Sequence, residues 1–405
     1  MSGRDPAHTA VIVSAVRTPV GRFLGGLSSR TAVELGGIAV RAAVERAGVP
    51  VDDIEEVILG NVIQAGTGQA PARQAALAAG LPSATSALTI NMVCGSGLQA
   101  VALAARAIRS GDASVLVAGG MESMSNAPFL LRGHREGVRF GNQQLVDSLI
   151  HDGLWCSFGG CHMGGHAEYT AARAGISRQA ADEFSLDSHR KAVAAIDAGD
   201  FEREIVPVEV SSRKGPVTVS QDEAPRRDTS LESLTKLKPA FPDDAPEGLG
   251  ELVVTAGNAP GLNDGASALV VTSEEYARLR DIPIRARITG YTTQGVDPED
   301  LFFAPVAAVR KLMEREGKQI GSYDLIEANE AFAVQLLADG KELGWDPDRV
   351  NVNGGAIALG HPIGASGARI LTTLLHALED RGLQTGLATL CLGGGDAVAL
   401  SIERV

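Results

Sequence analysis

The stretch Ala87–Gly97, Ala-Leu-Thr-Ile-Asn-Met-Val-Cys-Gly-Ser-Gly, decides the fold. Ala87 to Met92 reads as a short buried strand, and Cys94-Gly95-Ser96-Gly97 breaks it with a turn of small residues. An Ala-rich helix follows at Leu98 to Arg109, then a strand at Ser114 to Ala118 that ends in Gly119-Gly120. The same outline returns near the end of the chain. Val350 to Asn353 reads as a strand, and a Gly-rich turn carries Gly364-Ala365-Ser366-Gly367. A helix at Ala368 to Leu378 and a strand at Leu387 to Leu392 follow, closed by Gly393-Gly394-Gly395. A unit repeated in this way predicts a duplicated α/β fold whose two equivalent turns face one another across a shared site.

Working outward, Ala10 to Ala15 and Glu56 to Gly60 read as strands, with helices at Ala32 to Ala47 and Ala72 to Ala79. Strands alternating with helices predict a mainly parallel sheet covered on both faces. From Met121 to about Leu249 the texture shifts to Gly, His, Pro and charge, with one long helix at Arg178 to Ala198. That stretch reads as an excursion from the sheet. Strand character resumes at Glu251 to Thr255, at Ala268 to Thr272 and, past a charged boundary near Ser273 to Ile282, at Ile284 to Thr289.

Composition sets the class. The 405 residues are 44% hydrophobic and 21% charged, which excludes a disordered chain. A net charge of −13 with no basic stripe argues against nucleic-acid binding. No apolar run is long enough for a membrane span, and Met1 to His8 lacks the apolar core of a signal peptide, so the expected setting is cytoplasmic. Four cysteines make no disulfide framework.

Individual residues suggest chemistry. Cys94 precedes a helix whose N-terminus favours a thiolate, so its thiol is expected below the ordinary value. Gly95 and Gly97 are expected to leave room for a substrate. Cys391 ends a strand before three glycines, whose N–H groups can point at an oxyanion. His361 lies in a Gly-rich loop, precedes Pro362 and titrates near neutrality, as a general base should. Asn329 can donate to an oxyanion or cap a helix. Cys156, Cys161, His162 and His166 crowd together, but their spacing fits no common zinc pattern, and no metal is expected. Gly66-Thr67-Gly68 lacks the Lys of a phosphate loop.

Taken together, these segments resemble the thiolase family, close to its biosynthetic branch, over nearly the whole chain. The resemblance runs through Val16-Arg17-Thr18-Pro19, Asn91 to Gly97, Gly119 to Ser125, His162-Met163-Gly164, Lys236 to Phe241, Thr255 to Asn258, Asn263 to Ala266, Asn329 to Phe332, the His361 loop and Cys391 to Gly395. It implies a five-layered αβαβα fold with an N-terminal half at 1–272, a loop domain inserted at about 121–249, and a C-terminal half at 273–405. It also implies reversible condensation of two acetyl-CoA to acetoacetyl-CoA and CoA. Broader-chain 3-ketoacyl-CoA thiolysis is the alternative; a decarboxylating ketoacyl synthase and an inactive acyl-CoA scaffold are more remote ones.

By the same resemblance, Cys94 carries the acyl group and His361 activates it, while Cys391 moves the α-proton. Asn329, through a water, and His361 form one oxyanion hole; the N–H groups of Cys94 and Gly393 form the other. Arg226 and Ser233 fall where the family meets the nucleotide end of CoA, and His162 and Met163 where it meets the acyl and pantetheine end. No tightly bound cofactor is implied, CoA and acyl-CoA being substrates, and the expected partner is another copy, in a homodimer or homotetramer. Pro260 stands where a Ser is common, Cys161 where a Tyr is, and Ala397 where a Gly is usual.

Overall fold

The computed structural model describes residues 5–138, 140–213 and 215–405. Its main sheet contains β1 (Ala10–Arg17), β2 (Glu56–Gly60), β3 (Ser86–Ile90), β4 (Val115–Ser123), β5 (Asn263–Ser273), β6 (Ala286–Gly295), β7 (Leu325–Ala328), β8 (Thr385–Leu392) and β9 (Asp396–Arg404). They run in the order β7-β8-β9-β6-β1-β5-β4-β2-β3, and the short strand Gly21–Arg22 beside β5 brings the total to ten. The two wings meet at a narrow seam, where only Val11 and Ile12 of β1 face Arg287 and Ala286 of β6.

Helices fill the space on either side of each wing. The main ones are α1 (Ala32–Ala47), α2 (Pro71–Ala78), α3 (Ser96–Ser110), α4 (Met163–Ala174), α5 (Arg178–Ala198), α6 (Ala304–Glu316), α7 (Ala333–Leu343) and α8 (Ile363–Asp380). Every residue of α8 from Ile363 to Leu378 is buried, which marks a helix with no solvent face. It packs on α3, with β4 and β5 on one side and β7 and β8 on the other. Outside the first wing lies α1, started by a Thr31–Glu34 capping box and ended by left-handed Gly48. Outside the second wing lies α6. The result is helix, sheet, helix, sheet, helix: the five layers expected.

Three expectations need correction. The sheet is mixed, not mainly parallel. β2 runs parallel to β3 and β4, and β7 parallel to β8. But β5 returns from the long excursion and enters antiparallel between β1 and β4. β8 and β9 form a hairpin around Gly393-Gly394-Gly395, so they too are antiparallel.

Glu251 to Thr255 is no strand. Side chains satisfy its backbone instead: the Glu168 carboxylate accepts the N–H groups of Val253 (2.8 Å) and Val254 (2.9 Å), and Asn258 Oδ1 accepts that of Thr255 (2.8 Å). Val350 to Asn353 is also no strand. Asn351 adopts a left-handed φ of 46°. Its amide then mimics a strand edge beside β7, accepting from Ala328 N at 2.9 Å and donating to Ala328 O at 2.8 Å.

Among the described residues, no helix is long and apolar enough to cross a membrane.

Candidate active site

Cys94 stands on a strained elbow. Val93, just before it, has φ 45°, a left-handed geometry that a β-branched side chain resists. The turn is stapled in place. Ser96 Oγ accepts from Met92 N at 2.9 Å and donates to Val93 O at 2.7 Å, while Asn91 Oδ1 accepts from Val93 N at 3.0 Å. The half-buried thiol thereby faces the cavity from the start of α3.

Gly95 and Gly97 do not serve the substrate as expected. A Cβ on Gly95 would lie 2.5 Å from Leu392, and one on Gly97 would lie 2.7 Å from Ala368 N. Their smallness lets the second half of the chain close on the first.

The thiol itself overturns the sequence expectation. Burial pushes Cys94 up to about 12, although its own N–H and that of Gly393 pull the other way; the Glu122 carboxylate adds to the rise. Desolvation outweighs the helix terminus. Cys94 therefore rests as a thiol and requires a base.

His361 can be that base. Its ring Nδ1 is 2.6 Å from Ser366 Oγ, and that hydroxyl gives its single proton to Pro362 O at 2.9 Å. With the hydroxyl proton on Pro362 O, the hydroxyl accepts from Nδ1 and leaves Nε2 a free lone pair, the tautomer a base facing Cys94 requires. The backbone N–H of His361 donates to Asn263 Oδ1 at 2.8 Å, fixing the loop. Burial, with help from the nearby Arg369 guanidinium, lowers the imidazole to about 4, so it is neutral near pH 7.

Cys391, the last residue but one of β8, is almost fully buried. Its thiol is pushed well above the ordinary range, first by burial and then by the proximity of Cys94 and Asp339. Beyond it, Gly394 and Gly395 take φ values of 92° and 90°, a turn suited to glycine. Cys94, His361, Cys391 and Gly393 all border one cavity of about 390 Å³. Asn329 does not line it, although Ala331 and Phe332 do. Both atoms of its buried amide lack a hydrogen-bond partner among the described residues, and it caps no helix: Phe332 precedes α7.

Residues 10–275 match the family model described as thiolase, N-terminal domain, and residues 282–404 the one described as thiolase, C-terminal domain. The chain belongs to the thiolase family. A probable acetyl-CoA acetyltransferase of Escherichia coli (strain K12) is 55% identical over 394 residues, 97% of this chain and 98% of that protein. An acetyl-CoA acetyltransferase of Cupriavidus necator is 52% identical over 395 residues, 97% of this chain and 99% of that one. The crystal structure of the Bacillus anthracis acetyl-CoA acetyltransferase superimposes with a TM-score of 0.95 at 44% identity, covering 98% of this chain and 99% of that chain.

In this thiolase, the residues expected near CoA divide into two groups. His162, Met163 and Pro260 line the cavity. His162 stacks on Phe241 with ring centroids 4.5 Å apart, and its backbone N–H donates to Asp244 Oδ1 at 2.8 Å. Arg226 and Ser233 are exposed and lie outside the cavity lining, with the Ser233 hydroxyl spent on Ser230 O at 2.7 Å.

Sequence reasoning gave no role to Glu122. This fully buried carboxylate accepts from Val62 N (3.1 Å), Ile63 N (3.2 Å), Asn61 Nδ2 (2.8 Å) and Gly364 N (2.9 Å). It ties the end of β2 to the His361 loop, and burial raises it to about 7. The available signal was a lone acid just after the apolar run Val115–Met121.

Proposed function

We propose that the chain catalyses the reversible condensation of two acetyl-CoA to acetoacetyl-CoA and CoA through an acetyl group carried on Cys94. The supporting observation is the convergence of two thiols, one neutral imidazole and the Gly393 turn on a single cavity. In the first half-reaction, His361 Nε2 takes the proton of Cys94 as the sulfur attacks the thioester carbonyl. The N–H groups of Cys94 and Gly393 hold the oxyanion. CoA departs with the proton of Cys391, leaving Cys94 acetylated, His361 protonated and Cys391 a thiolate.

In the second half, Cys391 removes an α-proton from a new acetyl-CoA. Protonated His361, and the buried amide of Asn329 acting through a bound water, stabilise the enolate. The enolate carbon attacks the acetyl carbonyl, and Cys94 leaves and regains its proton from His361. Every proton is returned, and thiolysis is the same path reversed.

We assign the acyl and pantetheine end of CoA to the wall formed by His162, Met163 and Pro260, and its nucleotide end to Arg226 and Ser233 outside the mouth. CoA acts as substrate with no tightly bound cofactor, in a cytoplasmic setting. The chain divides into halves at 1–272 and 273–405 with a loop domain at about 121–249, and assembles as a homodimer or homotetramer. Supporting assembly, β3 is the terminal strand of the sheet and carries the exposed Leu88.

The test is thiolysis of acetoacetyl-CoA by CoA, followed by loss of the enolate absorbance and repeated on longer 3-ketoacyl-CoA substrates. The reading predicts the fastest turnover on acetoacetyl-CoA. No thiolysis, or consumption of a malonyl thioester with release of carbon dioxide, would overturn it.

A further inference from the structure

Two thiols take no part in the chemistry above. Cys156 and Cys161 face each other directly across a small antiparallel hairpin, Trp155–Cys156 against Cys161–His162. Facing residues of such a pair have Cα atoms about 4.5–5.5 Å apart, within the roughly 4.4–6.8 Å that a disulfide bridges. The connecting loop brings both sulfurs to one glycine. Gly159 N donates to Cys156 Sγ at 3.2 Å, and a Cβ on Gly159 would lie 3.3 Å from Cys161 Sγ. Gly160, at φ 64°, closes the loop with its N–H on Cys156 O at 2.8 Å. Cys156 is buried and Cys161 partly exposed, so Cys161 is the sulfur that a reagent meets first. Among the described residues, no three acidic, His or Cys side chains are grouped to hold a metal.

The hairpin is joined to the active site. His162 and Met163, the next residues along the chain, line the cavity that holds Cys94. Phe158, in the hairpin loop, would lie 3.1 Å from a Cβ on Gly394, beside the Gly393 turn. A second cavity, of about 530 Å³, is lined by Cys156 and Phe158 and shares Val93, Met163 and Gly393 with the first.

We propose that Cys156 and Cys161 are a reversible redox modification site, which closes into a disulfide by exchange with a low-molecular-weight disulfide and so sets the position of the wall at the acyl end. The Cys161 thiolate attacks one sulfur of the small disulfide, forming a mixed disulfide and expelling one thiolate. The Cys156 thiolate then displaces the second. Two protein thiols are oxidised, one disulfide is reduced to two thiols, and the two protons lost by the cysteines go to the thiolates released. Partial burial, then Cys156 and Asp244, hold the Cys161 thiol above its ordinary value. Closure is accordingly slow at neutral pH and belongs to sustained oxidising conditions. The effect on catalysis rests on the thiolase reading above; the bond itself does not.

The first test uses the full chain with Cys94→Ala, treated with oxidised glutathione, alkylated under denaturing conditions and mapped by mass spectrometry. The expected product is a Cys156–Cys161 link that dithiothreitol reverses. Free thiols at both positions, glutathione retained without ring closure, or a link from either cysteine to Cys391 would overturn the proposal. The second test compares oxidised with reduced thiolysis rates in the wild-type chain, in Cys156→Ser and in Cys161→Ser. A several-fold loss in the wild-type chain, absent from both variants, is expected. The same oxidised-to-reduced ratio in all three would show that the bond leaves the cavity wall unmoved, and would overturn the coupling whether or not the bond forms.

Discussion

Cys94 and Cys391 border one cavity, yet the fold treats them differently. Cys94 lies half-buried on a turn, with two N–H groups directed at its sulfur. Cys391 lies buried at a strand end, and the first neighbours to act on it after burial are another thiol and the Asp339 carboxyl. Both are held as thiols, but after burial the larger influences at Cys94 are two N–H groups that favour its charge, opposed by the Glu122 carboxylate, and at Cys391 they are Cys94 and Asp339, opposed by its own N–H. That difference suits the division of labour proposed above. A sulfur that can bear charge in place suits a nucleophile and leaving group, whereas one that resists charge returns any proton it has lent.

The largest expected effect breaks that comparison outright. Cys94→Ala removes the proposed acyl carrier and should lower thiolysis by about 10⁴-fold or more, read as loss of enolate absorbance. A rate within tenfold of wild type would move the nucleophile elsewhere. Asn329→Ala should lower kcat for condensation by about 10²–10³-fold, the usual cost of one oxyanion donor. Acetylation of Cys94 from acetyl-CoA should be less affected, since the proposed mechanism gives that step to the Cys94 and Gly393 N–H groups. Equal losses in both steps would erase the distinction between the two halves of the reaction.

The acid side of the pH profile sharpens it further. The fold favours neutral His361, bringing it from 6.5 to about 4, so the base survives acidification and is lost only as pH falls through about 4. kcat/KM for thiolysis should therefore show no loss from His361 between pH 7 and pH 5. An acid limb centred near 6.5 would mean a solvated imidazole. The smallest effect is on stability. A Cβ on Gly367 would press on the backbone N of Leu98, where α8 meets α3. Gly367→Ala should cost about 1–3 kcal/mol, seen as a lower thermal midpoint.

What could be read in the chain follows from where each signal resides. His361 stood out because an imidazole in a Gly-rich loop is poorly explained by packing, whereas Cys94 and Cys391 were open between packing and chemistry until the resemblance gave them, and Gly393, a place in one site; all four border one cavity. The outline of α3, α5 and β8 was legible from apolar and Ala-rich runs, but α8 begins at Ile363, so Gly364 to Gly367, expected as a turn, form its first turn. The direction of the Cys94 shift was not legible, because a local sequence displays the helix terminus but not the depth of burial that outweighs it. Nor was the antiparallel entry of β5, whose partners β1 and β4 are remote in sequence. Glu251 to Thr255 and Val350 to Asn353 have the composition of strands, yet Glu168, Asn258 and the Asn351 amide satisfy backbone groups there. Glu122 escaped notice because its role exists only once Asn61 to Ile63 and Gly364 are folded around it.

The most direct test of two sulfurs sharing one imidazole is Cys391→Ser mixed with acetyl-CoA alone, quenched, digested and mapped by mass. The account predicts one acetyl group on the peptide that contains Cys94 and almost no acetoacetyl-CoA. Acetyl on another residue, or condensation at the wild-type rate, would contradict it.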